Sequence, residues 1–319
     1  MLDLPWLEPQ KALLRAAYAA GRLTHALLIH EAPGAGGDVL ASWAAQLVLC
    51  TAAAQPPCGV CAGCRRAAAT QHPDLITLQL IEESRQIRIE QVRELCADLT
   101  LTSHQGGYKV AIISPADALN SAAANALLKT LEEPTPRTLL ILVASQPSRL
   151  PATVLSRCQR LHVPAPARNE AVAWLQSTRG PAEWGAVLEA LGDAPRYAAQ
   201  ADPNVVIEFA GETRRVLEDT AGGRADPATT ADRWWRTDLP LRLFCIENWL
   251  TDRVRRHFAG AAFSVEMTAP LHLQRGPQVL SIRRLFGIID AVQELKSSLD
   301  APINRSLALE NVLRRVTAG

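Results

Sequence analysis

Apolar and polar positions divide this chain into two regimes. In the first half, short and almost purely apolar runs recur at 27–29, 109–113 and 139–143. Runs this short and this apolar read as strands buried on both faces, the pattern of a parallel sheet. Past the linker Pro164-Ala165-Pro166 the period changes. Stretches 169–178, 181–191, 205–219, 239–258 and 281–299 read as helices. Leu241, Phe244, Cys245, Asn248, Trp249 and Val254 roughly follow helical spacing. Loops are expected at 222–230 and 260–277. The pattern predicts an α/β domain followed by helices.

The first apolar run leads into Glu31-Ala32-Pro33-Gly34-Ala35-Gly36-Gly37-Asp38, and an amphipathic helix is expected next. Strand, glycine-rich loop and helix form the layout that cradles nucleotide phosphates. A working loop then supplies a lysine for the β- and γ-phosphates and a hydroxyl for Mg²⁺. Gly37 and Asp38 stand at those places, and no lysine occurs between Lys11 and Lys109. Glycine offers neither charge nor reach. A carboxylate at Asp38 suits the helix dipole but repels phosphate. Like charges about 4 Å apart cost roughly 4 kcal/mol at an effective dielectric near 20. Gly34, Gly36, Gly37 and Asp38 therefore mark a degenerate phosphate loop with no functional ATP site expected. A plain glycine turn capped by Asp38 is the simpler alternative.

The run 109–113 follows a Gly106-Gly107 turn and reads as a central strand. In phosphate-loop ATPases such a strand ends in an Asp that helps hold Mg²⁺. Here Ser114 and Pro115 follow. Neither can hold a metal as a carboxylate or take a proton from water. Two separate parts of one machine are missing while their strands persist. Downstream, 121–133 reads as a strong helix stopped by Pro134.

Composition adds bounds. A chain of 319 residues suffices for two or three domains. Hydrophobic content of 48% with 20% charge is ordinary for a globular protein. No apolar run approaches the ~20 residues of a membrane span. The first ten residues carry acids and prolines without a signal-peptide pattern, so a cytoplasmic location is expected. A net charge of +1 argues against strong stand-alone affinity for nucleic acid. Four lysines among 33 basic residues reveal a bias to arginine, so one arginine alone says little. Arg65, Arg66, Arg85 and Arg88 are read as solvated faces rather than DNA contacts.

Seven cysteines, an odd count, argue against a disulfide framework. Four of them cluster as Cys50, Cys58, Cys61 and Cys64. Tetrahedral zinc takes four soft ligands, and C-x2-C turns supply them in pairs. Pro56, Pro57, Gly59 and Gly63 suit the tight turns between them. Arg65 and Arg66 can offset the negative charge of a four-thiolate centre. The segment is too short for its own core, so metal would provide the folding energy. A closed site leaves no position for water, which makes the role structural. Iron–sulfur ligation uses related spacing, and a set of free thiols is the plain alternative.

Three motifs in order carry a family resemblance: the cysteines after the loop helix, Ala124-Asn125-Ala126-Leu127-Leu128-Lys129-Thr130-Leu131-Glu132-Glu133-Pro134, and Ser156-Arg157-Cys158. Together they resemble the bacterial clamp-loader family of AAA+ proteins. The likeness covers residues 1 to about 200 well. Beyond that it rests on helical character and on Asn304, Leu307, Leu309 and Glu310. The resemblance implies an AAA+ parallel-sheet domain over 1–164 with a zinc module at 50–64. A helical lid over 165–202 and an all-helical collar over 203–319 would follow. The degenerate loops point to the member that does not hydrolyse ATP. Such a member is a stator in a ring with gamma/tau and delta subunits, which loads the sliding clamp on primed DNA. Arg157 would be an arginine finger offered in trans to the gamma/tau nucleotide, with Ser156 as a second catalytic-site residue. Arginine suits this role because its planar fork stays charged and binds phosphate oxygens bidentately.

Lesser positions follow from the same likeness. Arg196, after Gly192-Asp193-Ala194-Pro195, resembles the sensor-2 arginine of AAA+ lids. Ser145 stands where sensor 1 would be and is expected only to cap its strand. Cys158 is read as a small buried residue, and Trp234 and Trp235 as core. His72-Pro73-Asp74 is expected to turn, since Pro73 restricts the residue before it. No polymerase carboxylate constellation is recognisable, so nucleotidyl transfer would belong to the assembly. Two other functions stay open: an ATPase-active gamma/tau-like subunit, and a stand-alone zinc DNA-binding module.

Overall fold

The computed structural model describes residues 3–52, 55–80, 86–263, 282–299 and 303–317. Arg85, Ser281 and most of the expected 260–277 loop lie outside the described residues. The chain divides into two compact units: Met1–Trp174 with Ala194–Arg196, and Leu175–Asp193 with Tyr197–Gly319.

The first unit is built on five parallel strands: β1 (Ala26–Glu31), β2 (Leu75–Leu78), β3 (Lys109–Ile113), β4 (Thr138–Ala144) and β5 (Gln159–Val163). Their order is β2-β3-β4-β1-β5. Leu28 of β1 lies opposite Leu142 of β4 and Arg160 of β5. Strands β3 and β4 are buried along their whole length, as the apolar runs predict. The two edge strands carry no such run, since β5 exposes Gln159, Arg160 and His162.

Among the described residues, seven α-helices accompany the sheet: α1 (Glu8–Ala19), α2 (Gly37–Leu49), α3 (Ala62–Ala68), α4 (Ile89–Thr100), α5 (Ser121–Ala126), α6 (Leu128–Glu132) and α7 (Ala152–Leu155). Two differ from expectation. Helix α2 is not amphipathic in place. It packs on the sheet with α1 and α3 also against it, so nearly every residue is buried, Gln46 included. The helix expected over 121–133 is broken at Leu127, whose N–H bonds to the Ala124 carbonyl. That bond spans three residues instead of four, a local tightening of the turn. Leu28, Ile113 and Leu142 form the core with Val92, Leu95 and Val154.

Helix α8 (Arg168–Arg179) crosses the boundary between units in sequence, as does α10 (Pro195–Gln200); α9 (Trp184–Ala190) lies in the second unit. The remainder of that unit is α11 (Pro203–Ala221), α12 (Pro227–Trp234), α13 (Leu239–Phe263), α14 (Ile282–Ser297) and α15 (Arg305–Thr317). Helix α12 corrects the expected 222–230 loop. Asp226 accepts the Thr229 N–H at 2.8 Å, and Pro227 fits the first turn, where its missing N–H costs nothing. The same Asp-Pro pair, Asp202-Pro203, opens α11. Asn304 caps α15 by accepting the Leu307 N–H at 3.1 Å.

Trp234 is fully buried with Leu217, Leu243, Ile246, Val292 and Leu313; Trp235 is only half-buried. Arg242 is buried too. Its guanidinium lies 4.0 Å from the Phe209 ring and 4.4 Å from Trp234, and it pairs with Glu212 at 3.2 Å. Among the described residues, no helix is long and apolar enough to cross a membrane. Leu142→Ala, in the middle of β4, is expected to cost about 2–5 kcal/mol, measured as a lower urea midpoint. An unchanged midpoint would contradict burial on both faces.

Candidate functional site

Strand β1 ends on Glu31, and the chain turns through 32–36 into α2. Gly34 and Gly36 take left-handed backbone, with φ of 69° and 97°, which glycine adopts without a Cβ clash. The turn aims the Gly36 and Gly37 N–H groups at one point, the geometry of an anion cradle. The Glu31 carboxylate sits there. Its Oε2 accepts from Gly36 at 3.1 Å and from Gly37 at 2.5 Å. Burial pushes the Glu31 carboxyl above its usual range; the bonds from Gly37 and Gly36 and the nearby Arg196 draw it back only in part.

Asp38 is met by Arg196, whose Nη1 pairs with Oδ1. The Arg196 N–H also bonds the Gly34 carbonyl at 3.3 Å. The fold thus joins Gly34, Gly36, Gly37 and Asp38 to Arg196. Asp38 is not a lone charge set against phosphate; part of it is offset by this guanidinium. Trp6 donates its indole N–H to the Ala35 carbonyl at 2.7 Å, a buried bond that ties down the loop.

At the second catalytic position, β3 runs into Ser114 and Pro115, with no carboxylate. The next acid, Asp117, is buried. Its Oδ2 accepts from the Ser145 hydroxyl at 3.1 Å and from the Gln146 N–H at 2.8 Å. Ser145 therefore ties the end of β4 to the turn after β3.

Arg157 follows α7. Its Nη2 lies 2.6 Å from Glu132 Oε1. Nη1 donates to the Thr153 carbonyl at 2.9 Å and to Ser156 Oγ at 3.3 Å. The side chain keeps 35% of its surface exposed, so the guanidinium stands at the surface. Cys158 is buried, and burial pushes its thiol up to about 11.

The sulfurs of Cys50, Cys58, Cys61 and Cys64 all lie within 4.8 Å of one another. Cys58 and Cys64 are 4.0 Å apart, Cys50 and Cys61 3.9 Å. Zn–S bonds near 2.3 Å in a tetrahedron set sulfurs about 3.8 Å apart, so four thiolates here fit such a metal. N–H groups of Cys61 and Val60 hold the Cys58 thiol below its ordinary range, whereas burial pushes the Cys64 thiol up. Gly63 allows the close approach of α3 to α2: a Cβ there would lie 2.2 Å from the Leu49 carbonyl oxygen. Arg65 and Arg66 are exposed. Just beyond, Leu75 N–H bonds the His72 carbonyl at 3.0 Å, closing the expected turn. Buried Asp74 accepts from His104 N–H at 2.7 Å and Gln105 N–H at 3.3 Å.

The sheet order, the glycine loop between β1 and α2, the cysteine module after α2 and the Ser-Arg-Cys segment after α7 define a clamp-loader subunit of the AAA+ class. The profile of the family described as DNA polymerase III, delta subunit, matches residues 7–167. The chain is 34% identical to DNA polymerase III subunit delta' of Escherichia coli K12, over 98% of this chain and 94% of that one. It is 36% identical to the delta' subunit of Pseudomonas aeruginosa, over 79% and 76% of the two chains. The tau subunit of Escherichia coli is 35% identical over 51% of this chain and 25% of its own length. This chain belongs to the delta-prime family of DNA polymerase III subunits.

Sequence reasoning missed three acids: Glu31, Asp117 and Glu132. Glu31 had a visible signal, an acid closing a buried strand at the mouth of a glycine loop. Glu132 lies in a quoted motif, but no spacing rule connects it to Arg157, 25 residues away. Gly63→Ala is expected to lower stability by about 1–3 kcal/mol through overpacking, read from urea unfolding. A variant as stable as the parent would contradict the tight contact with Leu49.

Proposed function

We propose that this chain is the non-hydrolysing stator of the clamp loader, and that Arg157 acts in trans on ATP bound by an adjacent gamma/tau subunit. One observation supports this most: the loop that would hold phosphate holds the chain's own carboxylate, while an arginine in a motif of nucleotide-responsive subunits faces solvent. The planar guanidinium would bind two γ-phosphate oxygens and stabilise charge as it develops there. Ser156 is a positioning residue. Its hydroxyl donates to the Thr153 carbonyl at 3.1 Å and accepts from Arg157. The Arg157–Glu132 pair is surface-exposed, and such pairs are worth about 0.2–1 kcal/mol. A neighbour's triphosphate can displace Glu132 at little cost.

The proposed organisation is an AAA+ domain over 1–164, a lid over 165–202 and a collar over 203–319. Phe258, Phe286 and Leu307 are exposed on helices of the last part, and apolar surface of this kind suits packing against other subunits. Its partners are the gamma/tau and delta subunits, with the sliding clamp and primed DNA reached through the assembly in the cytoplasm. Zinc held by Cys50, Cys58, Cys61 and Cys64 is structural. It would staple α3 to the end of α2, and nucleotidyl transfer belongs to the holoenzyme.

Arg157→Ala is expected to leave ring assembly intact, as judged by sizing. At the ATP site it serves, the rate should fall about a thousandfold, so the reconstituted loader loses that site's share. An unchanged ATPase rate would remove the assignment. The purified chain is expected to be colourless, with one zinc per chain by atomic absorption. A brown protein absorbing near ~400 nm would mark an iron–sulfur cluster instead.

A further inference from the structure

We propose that Glu31 is a built-in oxyanion: it fills the phosphate cradle of this chain's own glycine loop and keeps phosphate-bearing ligands out. This deepens the reading that the chain has no working ATP site, and it rests on that reading. Loss of a lysine weakens phosphate binding but leaves the cradle's N–H groups free to hold some other anion. Here they are not free. One carboxylate oxygen of Glu31 accepts both the Gly36 and the Gly37 N–H, the donors that open α2 and carry the positive end of its dipole.

Gly37 is part of the same device. A Cβ at Gly37 would lie 2.9 Å from Glu31 Cδ, 2.9 Å from Val143 Cγ1 of β4 and 3.0 Å from Glu31 Cβ. The Glu31 side chain therefore lies in the space that any side chain at 37 would need. Glycine in the lysine position does more than remove a charge; it makes room for the substitute anion. Other groups close the loop around it. A Cβ on Gly36 would lie 2.3 Å from Leu4 Cδ1, and one on Gly34 would lie 3.1 Å from Ala194 Cβ. Arg196, the cation beside the cradle, is engaged by Asp38. An incoming phosphate would have to displace one carboxylate and compete with a second for that guanidinium.

The test is carried out on the full chain with inorganic pyrophosphate as the probe, following the Gly36 and Gly37 amide signals by NMR. In the parent protein, millimolar pyrophosphate is expected to leave both signals in place. In Glu31→Ala both should move on removal of the carboxylate and then titrate with pyrophosphate, accompanied by a rise in Tm from ligand linkage. Glu31→Ser, whose side chain is too short to reach the cradle, covers the case in which the alanine variant fails to fold; it too should titrate. If the parent stays silent and the folded variants stay silent too, the proposal is overturned while the silent-site reading stands. Pyrophosphate or ATP binding by the parent would instead sink the silent-site reading beneath it, so the two failures are distinguishable.

Discussion

The N–H groups at the start of a helix that follows a buried parallel strand must find an acceptor, because the helix itself offers none. In this fold those of Gly36 and Gly37 converge on a concave point fixed by left-handed glycines. The acceptor there decides what the domain can do. Glu31 supplies it from within the chain. With the donors satisfied internally, the loop needs no lysine, the end of β3 needs no metal-holding acid, and Arg196 is available to pair with Asp38. The scaffold nonetheless stays, because β1, β3 and β4 are the core of the unit. Removing the chemistry leaves their packing unchanged; removing the strands would unfold the domain.

That division accounts for a chain with the strands and loop of an ATPase but without its lysine or its metal-holding acid. The proposed finger lies instead in the segment after α7, where Arg157 is held by the Thr153 carbonyl, Ser156 and Glu132. These contacts are made at the surface, so they orient the guanidinium without locking it. In the proposed ring, hydrolysis by a neighbour then depends on the presence of this chain, which couples chemistry to assembly. The cysteine module serves the same economy. Its sulfurs bring α3 against the end of α2, the helix whose other end forms the cradle.

Much of this was legible in the residues. Buried parallel strands announce themselves as apolar runs, and β1, β3 and β4 fall where those runs lie. Edge strand β5 was not legible, because its exposed positions take polar residues and its pairing is with β1, far away in sequence. Helix α12 hid behind glycine and proline, although its Asp226-Pro227 start is a local signal. The four cysteines could be grouped by spacing alone. The contacts of Arg196 with Asp38 and Arg157 with Glu132 depend on how distant segments are folded together, and that of Glu31 with Gly37 on the path of the loop between them. No periodicity encodes such pairs.

The central claim is that this chain lends a cation to a neighbour's nucleotide and can use none of its own. The most direct measurement is Mg-ATP turnover by the pure, isolated chain. The predicted result is no release of phosphate above background at saturating ATP. Steady turnover that scales with the concentration of this chain alone would contradict the claim.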